Sequence, residues 1–364
     1  MKKILFTAST YSHINNFHLT YLKRFKELGY EVHVAVGGSK QDIEYADKVY
    51  DIPFQKSIIS IENFKLSYKL AKIIKNEKYK LISTHTSLAA FFTRLAVALS
   101  LSKAHVTNTV HGYLFDENFP FIKKYIMLFA EKIMKLWTDD IIVMNSDDEK
   151  IARKHKLYKK NLYFIDGMGV DFSRLQVCEN RYEERKKFNI KPEEIVLVYA
   201  AEFSDRKNQK MLIKSLEKLP ENTKLILMGD GQNFEKCKLI SKKLDLEERI
   251  IFTGYVKNIE YYYSIADICV SSSRIEGLPF NIMEAMYMKL PLIVSDIKGN
   301  KDLIEEGKNG YTYPYDDIDV FCDKILELYN NKDKRLEFGK KSFYLSQKYS
   351  LEKVFETNMG YYIK

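Results

Sequence analysis

The densest group of residues able to do chemistry runs from Arg274 to Glu284, RIEGLPFNIME. An apolar run, Ile268 to Ser271, precedes it, and a helical pattern follows. Amides near Gly277, Leu278, Pro279 and Phe280 would then lie at a helix N-terminus, where N–H donors and the helix dipole suit phosphate. Pro279 fits a first-turn position, because its missing N–H costs nothing there. Glu284 follows Glu276 by eight residues, so it falls within the first two turns while Glu276 stays in the loop. The two carboxylates can face different parts of one ligand. The plainer alternative is a capping acid and a solvated helix residue.

Three other strand ends in this half carry candidate groups. Ala200 to Gln209 places Arg206 and Lys207 after the run Ile195 to Tyr199, where cations can neutralise a diphosphate; a basic surface turn is the alternative. Gly229 follows Lys224 to Met228, and Gly254 and Tyr255 follow Arg249 to Phe252. Glycine there lets a ligand approach the backbone, although strand-end turns use glycine anyway. Their common placement is the stronger signal, since open α/β sheets bind ligands at the carboxyl ends of strands.

In the first half the corresponding residues are histidines: His13 after the first strand, His85 after the third and His111 after the fourth. Each could hydrogen-bond a hydroxyl or move a proton near neutral pH, or simply be a satisfied core or capping residue. No GxSxG, P-loop or HExxH motif occurs. The acidic clusters Asp139-Asp140 and Asp147-Asp148-Glu149 sit between elements, where capping and solvation explain them more simply than a metal.

The elements that must position these residues alternate in type. Apolar runs at Ile4–Thr7, Val32–Val36, Leu81–Thr84, His105–Val110 and Ile141–Met144 are strand candidates, with helices such as Asn16–Leu28 and Leu88–Leu99 between them. The rhythm restarts at Ile195 and continues through Leu292–Ser295. Two doubly wound parallel sheets follow, as a chain of 364 residues also suggests. The pause in the polar stretch 171–194 places the boundary near 175, giving domains 1–175 and 176–345 and a C-terminal helix, 346–364, able to pack back on the first domain.

The net charge of +9 is uneven: residues 1–175 hold 27 Lys and Arg against 18 Asp and Glu, and residues 176–364 hold 31 of each. A basic half can serve nucleic acid, an anionic membrane or an acidic substrate. Within it, Phe119 to Trp137 patterns as an amphipathic helix with Lys123, Lys124, Lys132 and Lys135, suited to lying on an anionic membrane or to ordinary packing with snorkelling lysines. No apolar run is long enough to span a bilayer. The four scattered cysteines read as free thiols of a reducing compartment.

Taken together, Glu276-x7-Glu284 in EGLPFNIMEAM, the later Gly307-Lys308-Asn309-Gly310, His111-Gly112-Tyr113-Leu114-Phe115, the stretch Thr84 to Ala96 and Asp166 to Asp171 resemble the family 4 retaining glycosyltransferases, especially those of bacterial capsule, exopolysaccharide and lipid-linked oligosaccharide assembly. The resemblance covers nearly the whole chain. It implies the α/β GT-B fold, two Rossmann-like domains facing a cleft, with the acceptor on the first and a nucleotide sugar, UDP-linked for preference, on the second.

By that resemblance Glu276 would contact the transferred sugar and Glu284 the ribose. Amides of Gly277, Leu278 and Phe280 would line the diphosphate, Lys207 would supply its countercharge, and His111 would hold a sugar hydroxyl; His13 and His85 fall on the acceptor side. Where many members carry Arg, this chain has Glu202, and Arg206 is the nearest substitute. The family uses no DxD-bound metal, so neither cofactor nor metal is expected. The implied partners are a nucleotide-sugar donor and a lipid-linked or glycan acceptor, with no nucleic acid and with peripheral contact at the inner face of the cytoplasmic membrane. A UDP-sugar epimerase on the same fold and a non-enzymatic basic-surface binding protein are the alternatives.

Overall fold

The computed structural model describes residues 1–55, 57, 59–115, 120–178 and 180–363. Phe119, the expected start of the basic amphipathic helix, lies outside them. The chain forms two compact units, Met1–Gly169 with Glu352–Lys364, and Val170–Leu351. The division falls at Gly169/Val170 rather than near 175, so the polar stretch 171–194 belongs whole to the second unit.

The first unit is a seven-stranded sheet with every pairing parallel. Its strands are β1 (Lys2–Thr7), β2 (Tyr30–Val36), β3 (Lys48–Asp51), β4 (Leu81–His85), β5 (His105–Val110), β6 (Asp140–Val143) and β7 (Asn161–Phe164), in the order β3-β2-β1-β4-β5-β6-β7. Central strands are buried on both faces and therefore read as continuous apolar runs. The edge strands β3, KVYD, and β7, NLYF, are half exposed and carry no such run, which is why the sequence pattern does not reveal them.

Among the described residues six helices cross between these strands: α1 (Tyr11–Phe17), α2 (Leu19–Glu27), α3 (Ile61–Glu77), α4 (Ser87–Ser100), α5 (Phe121–Met134) and α6 (Ser146–His155). The single helix expected over Asn16–Leu28 is instead broken at His18, whose backbone (φ −126°, ψ −7°) leaves the helical region. Helix α6 shows how local chemistry fixes an end. Asn145 caps the Asp148 amide at 2.8 Å, acids fill the first turn and Arg153, Lys154 and His155 the last, matching the helix dipole.

The second unit is a six-stranded parallel sheet of β8 (Ile195–Ala200), β9 (Thr223–Met228), β10 (Ile250–Gly254), β11 (Ile268–Ser271), β12 (Leu292–Ser295) and β13 (Gly310–Tyr313), ordered β10-β9-β8-β11-β12-β13. Strand β13, GYTY at the sheet edge, also lacks an aliphatic run and escapes the pattern reading. Its helices are α7 (Arg181–Lys186), α8 (Gln209–Ser215), α9 (Phe234–Lys243), α10 (Ile259–Ile265), α11 (Phe280–Tyr287), α12 (Ile318–Tyr329) and α13 (Lys332–Ser346). The core joins Leu197, Leu225, Val270 and Ile293 of the sheet to Phe321 and Ile325 of α12. Phe321 is wholly buried, so its truncation to Ala should cost about 3–5 kcal/mol.

The last helix, α14 (Leu351–Tyr362), begins later than 346 because residues up to Ser346 complete α13. It counts almost entirely with the first unit. There the Asn358 amide donates to Tyr21 Oη and the Gly167 carbonyl, both at 2.9 Å, and Tyr362 Oη lies 3.0 Å from Thr109 Oγ1.

The strand order of each sheet reverses once, between β1 and β4 and between β8 and β11. Crevices outside the carboxyl ends of strands at such switch points are where open α/β sheets bind ligands.

Candidate active site

The second unit's switch point is built from the loops after β8 and β11. Ser272 Oγ donates to the carbonyls of Lys207 and Asn208 at 2.8 and 3.0 Å, and the Arg274 amide to the Arg206 carbonyl at 2.8 Å, so the loops hold each other. Between them the Lys207 ammonium pairs with Glu276 Oε1. The Ser273 hydroxyl donates to the same oxygen at 2.5 Å and lies 2.6 Å from the buried Tyr199 hydroxyl. Lys207 and Glu276 are both nearly buried, with side chains 12% and 10% exposed, so this ion pair is far less screened than a surface one.

Helix α11 starts directly after this loop. Pro279 is its N-cap (φ −76°, ψ 120°), one residue earlier than a first-turn position, and brings no capping side chain. Leu278 is buried, and Gly299 (φ +80°) packs beneath Gly277, where a Cβ would come within 2.4 Å of the Gly277 carbonyl oxygen. Gly299 is thus a support of the Glu276 loop that sequence reading misses, since a strand-end glycine announces a turn but not which backbone crosses it.

Glu284, the fifth residue of α11, is buried and ion-paired with Arg174. Burial pushes its carboxyl up to about 7, against the Arg174 guanidinium, which pulls it down. Arg174 is also missed from sequence. It sits on a 3-10 turn, Phe172–Arg174, started by Asp171 accepting the Ser173 amide at 3.0 Å, and a span of 110 residues separates it from Glu284.

The remaining candidates of this unit line the same sheet edge. The expected four consecutive strand ends belong to adjacent strands, β10, β9, β8 and β11. Gly229 (φ +128°) donates its amide to the Gly254 carbonyl at 2.8 Å, and a Cβ on it would meet the Ala201 carbonyl oxygen at 2.1 Å. Tyr255, Arg206 and Glu202 are exposed. Phe280 opens α11.

In the first unit, β1, β4 and β5 are adjacent, and their ends bring His13, His85 and His111 together with His18, which pattern reading overlooks. On one continuous helix His13 and His18 would point about 140° apart. The break at His18 allows both rings to join the cluster. His85 Nδ1 lies 3.2 Å from His111 Nε2, and its Nε2 lies 2.8 Å from Ser83 Oγ. Burial lowers the basicity of all four rings, His13 to about 4. The site therefore holds neutral imidazoles.

Beside His111, a pocket of about 230 Å³ opens between α4 and α5, lined by Phe91, Leu114, Phe115 and Met127. The buried Arg94 guanidinium forms two bonds, 2.9 and 2.8 Å, with Glu131 in its wall. Helix α5 itself buries only Leu128 and Met134. Phe121, Ile122, Ile126 and Phe129 are 59–74% exposed. No helix among the described residues is long and apolar enough to cross a membrane.

The acidic clusters are engaged structurally. Asp139 accepts from the Val106 amide and pairs with Lys160, Asp140 faces His105 at 2.8 Å, and Asp148 accepts the Tyr113 amide and the Asn145 side chain.

Residues 3–146 match the family described as Glycosyl transferase 4-like, and residues 180–343 that described as Glycosyl transferases group 1. The chain is 31% identical over 342 residues to "Putative glycosyltransferase EpsD" of Bacillus subtilis (strain 168), covering 91% of this chain and 88% of that protein. It is 25% identical over 288 residues to the UDP-Gal:alpha-D-GlcNAc-diphosphoundecaprenol alpha-1,3-galactosyltransferase of Escherichia coli, covering 76% of this chain and 73% of that one. Among solved structures, Anabaena Alr3699/HepE in complex with UDP and glucose superimposes with a TM-score of 0.80 at 17% identity, covering 99% of both chains.

Proposed function

The chain belongs to the group 1, 4-like glycosyltransferases and has their GT-B fold of two Rossmann-like domains, and from that premise we propose a retaining enzyme moving a hexose or N-acetylhexosamine from a UDP-sugar to a lipid-linked glycan in cell-surface glycan synthesis. Membership of an enzyme family sets aside the purely surface-binding alternative.

The observation that carries the reading is the Lys207–Glu276 pair, held by Ser273 at the β8/β11 switch point beside the start of α11. In this reading the donor's diphosphate takes over Lys207, freeing Glu276 to accept from the sugar's hydroxyls. Glu284 receives the ribose hydroxyls in place of Arg174. The C1–O bond to the diphosphate breaks as the acceptor oxygen bonds C1 on the same face. The acceptor's proton passes to the leaving phosphate oxygen. Charge growing on that phosphate meets Lys207 and the positive end of α11, with no metal needed at the diphosphate. His111 holds a sugar hydroxyl as a neutral donor or acceptor.

Support for a lipid-linked acceptor comes from the apolar pocket beside His111 and from α5, whose exposed Phe121, Ile122, Ile126 and Phe129 share the helix with Lys123 and Lys132. Exposed apolar side chains interleaved with lysines suit the inner, anionic face of the cytoplasmic membrane. The relative acting on a diphosphoundecaprenol-linked sugar points the same way.

The test offers UDP-glucose, UDP-galactose and their N-acetyl forms with a lipid-diphosphate N-acetylhexosamine acceptor. A glycosidic product with retained anomeric configuration is expected, abolished by Glu276→Ala. Isomerised UDP-sugar in the absence of acceptor would instead identify an epimerase, and undiminished transfer by Glu276→Ala would overturn the site.

A further inference from the structure

We propose that His13, His18, His85 and His111 form a binding site for one divalent transition-metal ion of the zinc type. The inference stands on the cluster itself and does not depend on the donor or acceptor assigned above.

Each of the four rings offers one nitrogen, and these nitrogens all lie within 4.8 Å of one another. Tetrahedral zinc with Zn–N bonds of about 2.0–2.1 Å requires nitrogen pairs about 3.3 Å apart. His85 Nδ1 and His111 Nε2, hydrogen-bonded to each other at 3.2 Å, already have the length of one edge of that tetrahedron, and the ion would replace that one bond. The other pairs need to close by about 1.5 Å at most, within the reach of small ring rotations.

The second observation is the state of the remaining nitrogens. Both nitrogens of the wholly buried His18, and the buried Nε2 of His13, have no hydrogen-bond partner among the described residues. A buried polar atom left unpaired is costly, and one ion ligated by a nitrogen of His18 and by Nε2 of His13 would partner two of the three. Ser83 Oγ, 2.8 Å from His85 Nε2, is the outer hydrogen-bond partner that fixes a ligating ring with Nδ1 towards the ion.

The cluster is also rigidly mounted. His85 ends β4, His111 directly follows β5, and the flanking backbone is held at φ +62° in Thr86 and φ +111° in Gly112. An all-imidazole shell selects zinc, cobalt, nickel or copper over magnesium or calcium. Ligation through Nε2 would leave Nδ1 as the only hydrogen-bonding nitrogen of His111.

A contrast within the same unit sharpens the assignment. Glu31, His33 and Glu77 also converge, but Lys3 and Lys48 pair with both carboxylates, Tyr50 donates to Glu77, and His33 lies 2.7 Å from Tyr79 Oη. Those donors are spent on one another.

The experiment uses the full chain without a histidine tag, stripped with chelator and dialysed, then titrated with cobalt chloride and, by calorimetry, with zinc chloride. The expected result is one equivalent bound per chain, the intense visible bands of tetrahedral cobalt, and their bleaching by zinc. His18→Phe should weaken binding by about a hundredfold or more, since losing a ligand costs at least what losing its outer partner does. His33→Gln should leave binding unchanged. Absence of the tetrahedral cobalt spectrum in the wild-type chain, which needs no variant to fold, would overturn the proposal. So would a His18→Phe chain with wild-type circular dichroism and undiminished affinity, or loss of binding on His33→Gln.

Discussion

The two switch points occupy equivalent places in their sheets and carry opposite electrostatics. Between β8 and β11 the groups are ionisable and paired, Lys207 with Glu276 and Glu284 with Arg174. Between β1 and β4 they are neutral imidazoles packed beside an apolar pocket. Yet the chain's positive excess belongs to the half with the neutral site. It is spent on exposed side chains, such as Lys65, Lys69, Lys72 and Lys75 along α3, and not at the sheet's carboxyl edge. Net charge thus reports on the surface a domain presents, while the chemistry of a site depends on which few groups are desolvated together. In the proposed reaction the departing diphosphate would meet fixed cations at the β8/β11 switch point, and the acceptor side would meet imidazole hydrogen-bonding groups at the β1/β4 one.

The strongest way to break this comparison is Lys207→Ala. Removing a nearly buried cation from the position of developing charge should lower transfer turnover by about 10²–10³-fold. UDP affinity, measured by calorimetry, should fall by about tenfold to a hundredfold, the range of one charged hydrogen bond. His111→Ala should impair turnover while leaving UDP affinity within about twofold, because a neutral ring contributes no charge-assisted bond. Equal losses of UDP affinity in both variants would show that the division of labour is wrong.

Glu284 tests the charged side through pH. Its folded carboxyl is raised from 4.5 to about 7, so the folded chain holds a proton that the unfolded chain releases. The stability it contributes is complete below about 4.5, is lost as pH rises through about 7, and amounts to about 3 kcal/mol. Glu284→Gln keeps the neutral shape, so the variant should gain on wild type by that amount in denaturant melts between pH 4.5 and 8. UDP binding to the wild type should strengthen over the same window more than that of the variant, whose remaining pH dependence comes from the terminal phosphate of UDP, with a second pKa of about 6. A pH-independent stability difference would mean that Arg174 already cancels the cost of burial.

Much of this was legible in the sequence, and the failures have particular causes. Ten of the thirteen strands among the described residues carry aliphatic runs and could be read; β3 and β7 are largely exposed and need none, while β13, mostly buried at the sheet edge, uses glycine and tyrosine instead. Glu276, Glu284, Lys207 and His111 of the proposed site stand out in the sequence because loop, glycine and helix signals surround them. Arg174 and His18 could not. Arg174 depends on a contact 110 residues distant, and His18 on a helix break whose only local mark is the histidine itself. Strand order, which creates the switch points, is likewise a property of pairing and leaves no trace in the pattern of any one strand.

A smaller effect separates surface charge from site charge in the first unit. Lys123 and Lys132 are exposed on α5 beside exposed Phe121 and Phe129. Lys123→Ala with Lys132→Ala should weaken binding to phosphatidylserine vesicles by about thirtyfold, at about 1 kcal/mol for each lysine. Transfer to a water-soluble acceptor should be unchanged. Phe121→Ser with Ile122→Ser should weaken binding to neutral and anionic vesicles alike. Vesicle affinity untouched by either pair would remove α5 from the membrane and return its apolar face to a protein partner.

The smallest effect belongs to Arg274, two residues from Glu276 on the same loop. Its side chain is 43% exposed and pairs with Asp316, 45% exposed, at 3.0 Å. Such a pair is well solvated and contributes about 0–1 kcal/mol. Arg274→Ala should therefore change stability by no more than that, a difference erased by high salt, and UDP affinity by less than about fivefold. Arg274 and Lys207 thus differ in burial while sharing sign and neighbourhood, which makes the two Ala variants a direct comparison of burial. If Arg274→Ala matched Lys207→Ala in lost UDP affinity, burial would not be what selects the working cation, and the exposed arginine would have to turn from Asp316 onto the diphosphate, in the role that Glu202 cannot fill.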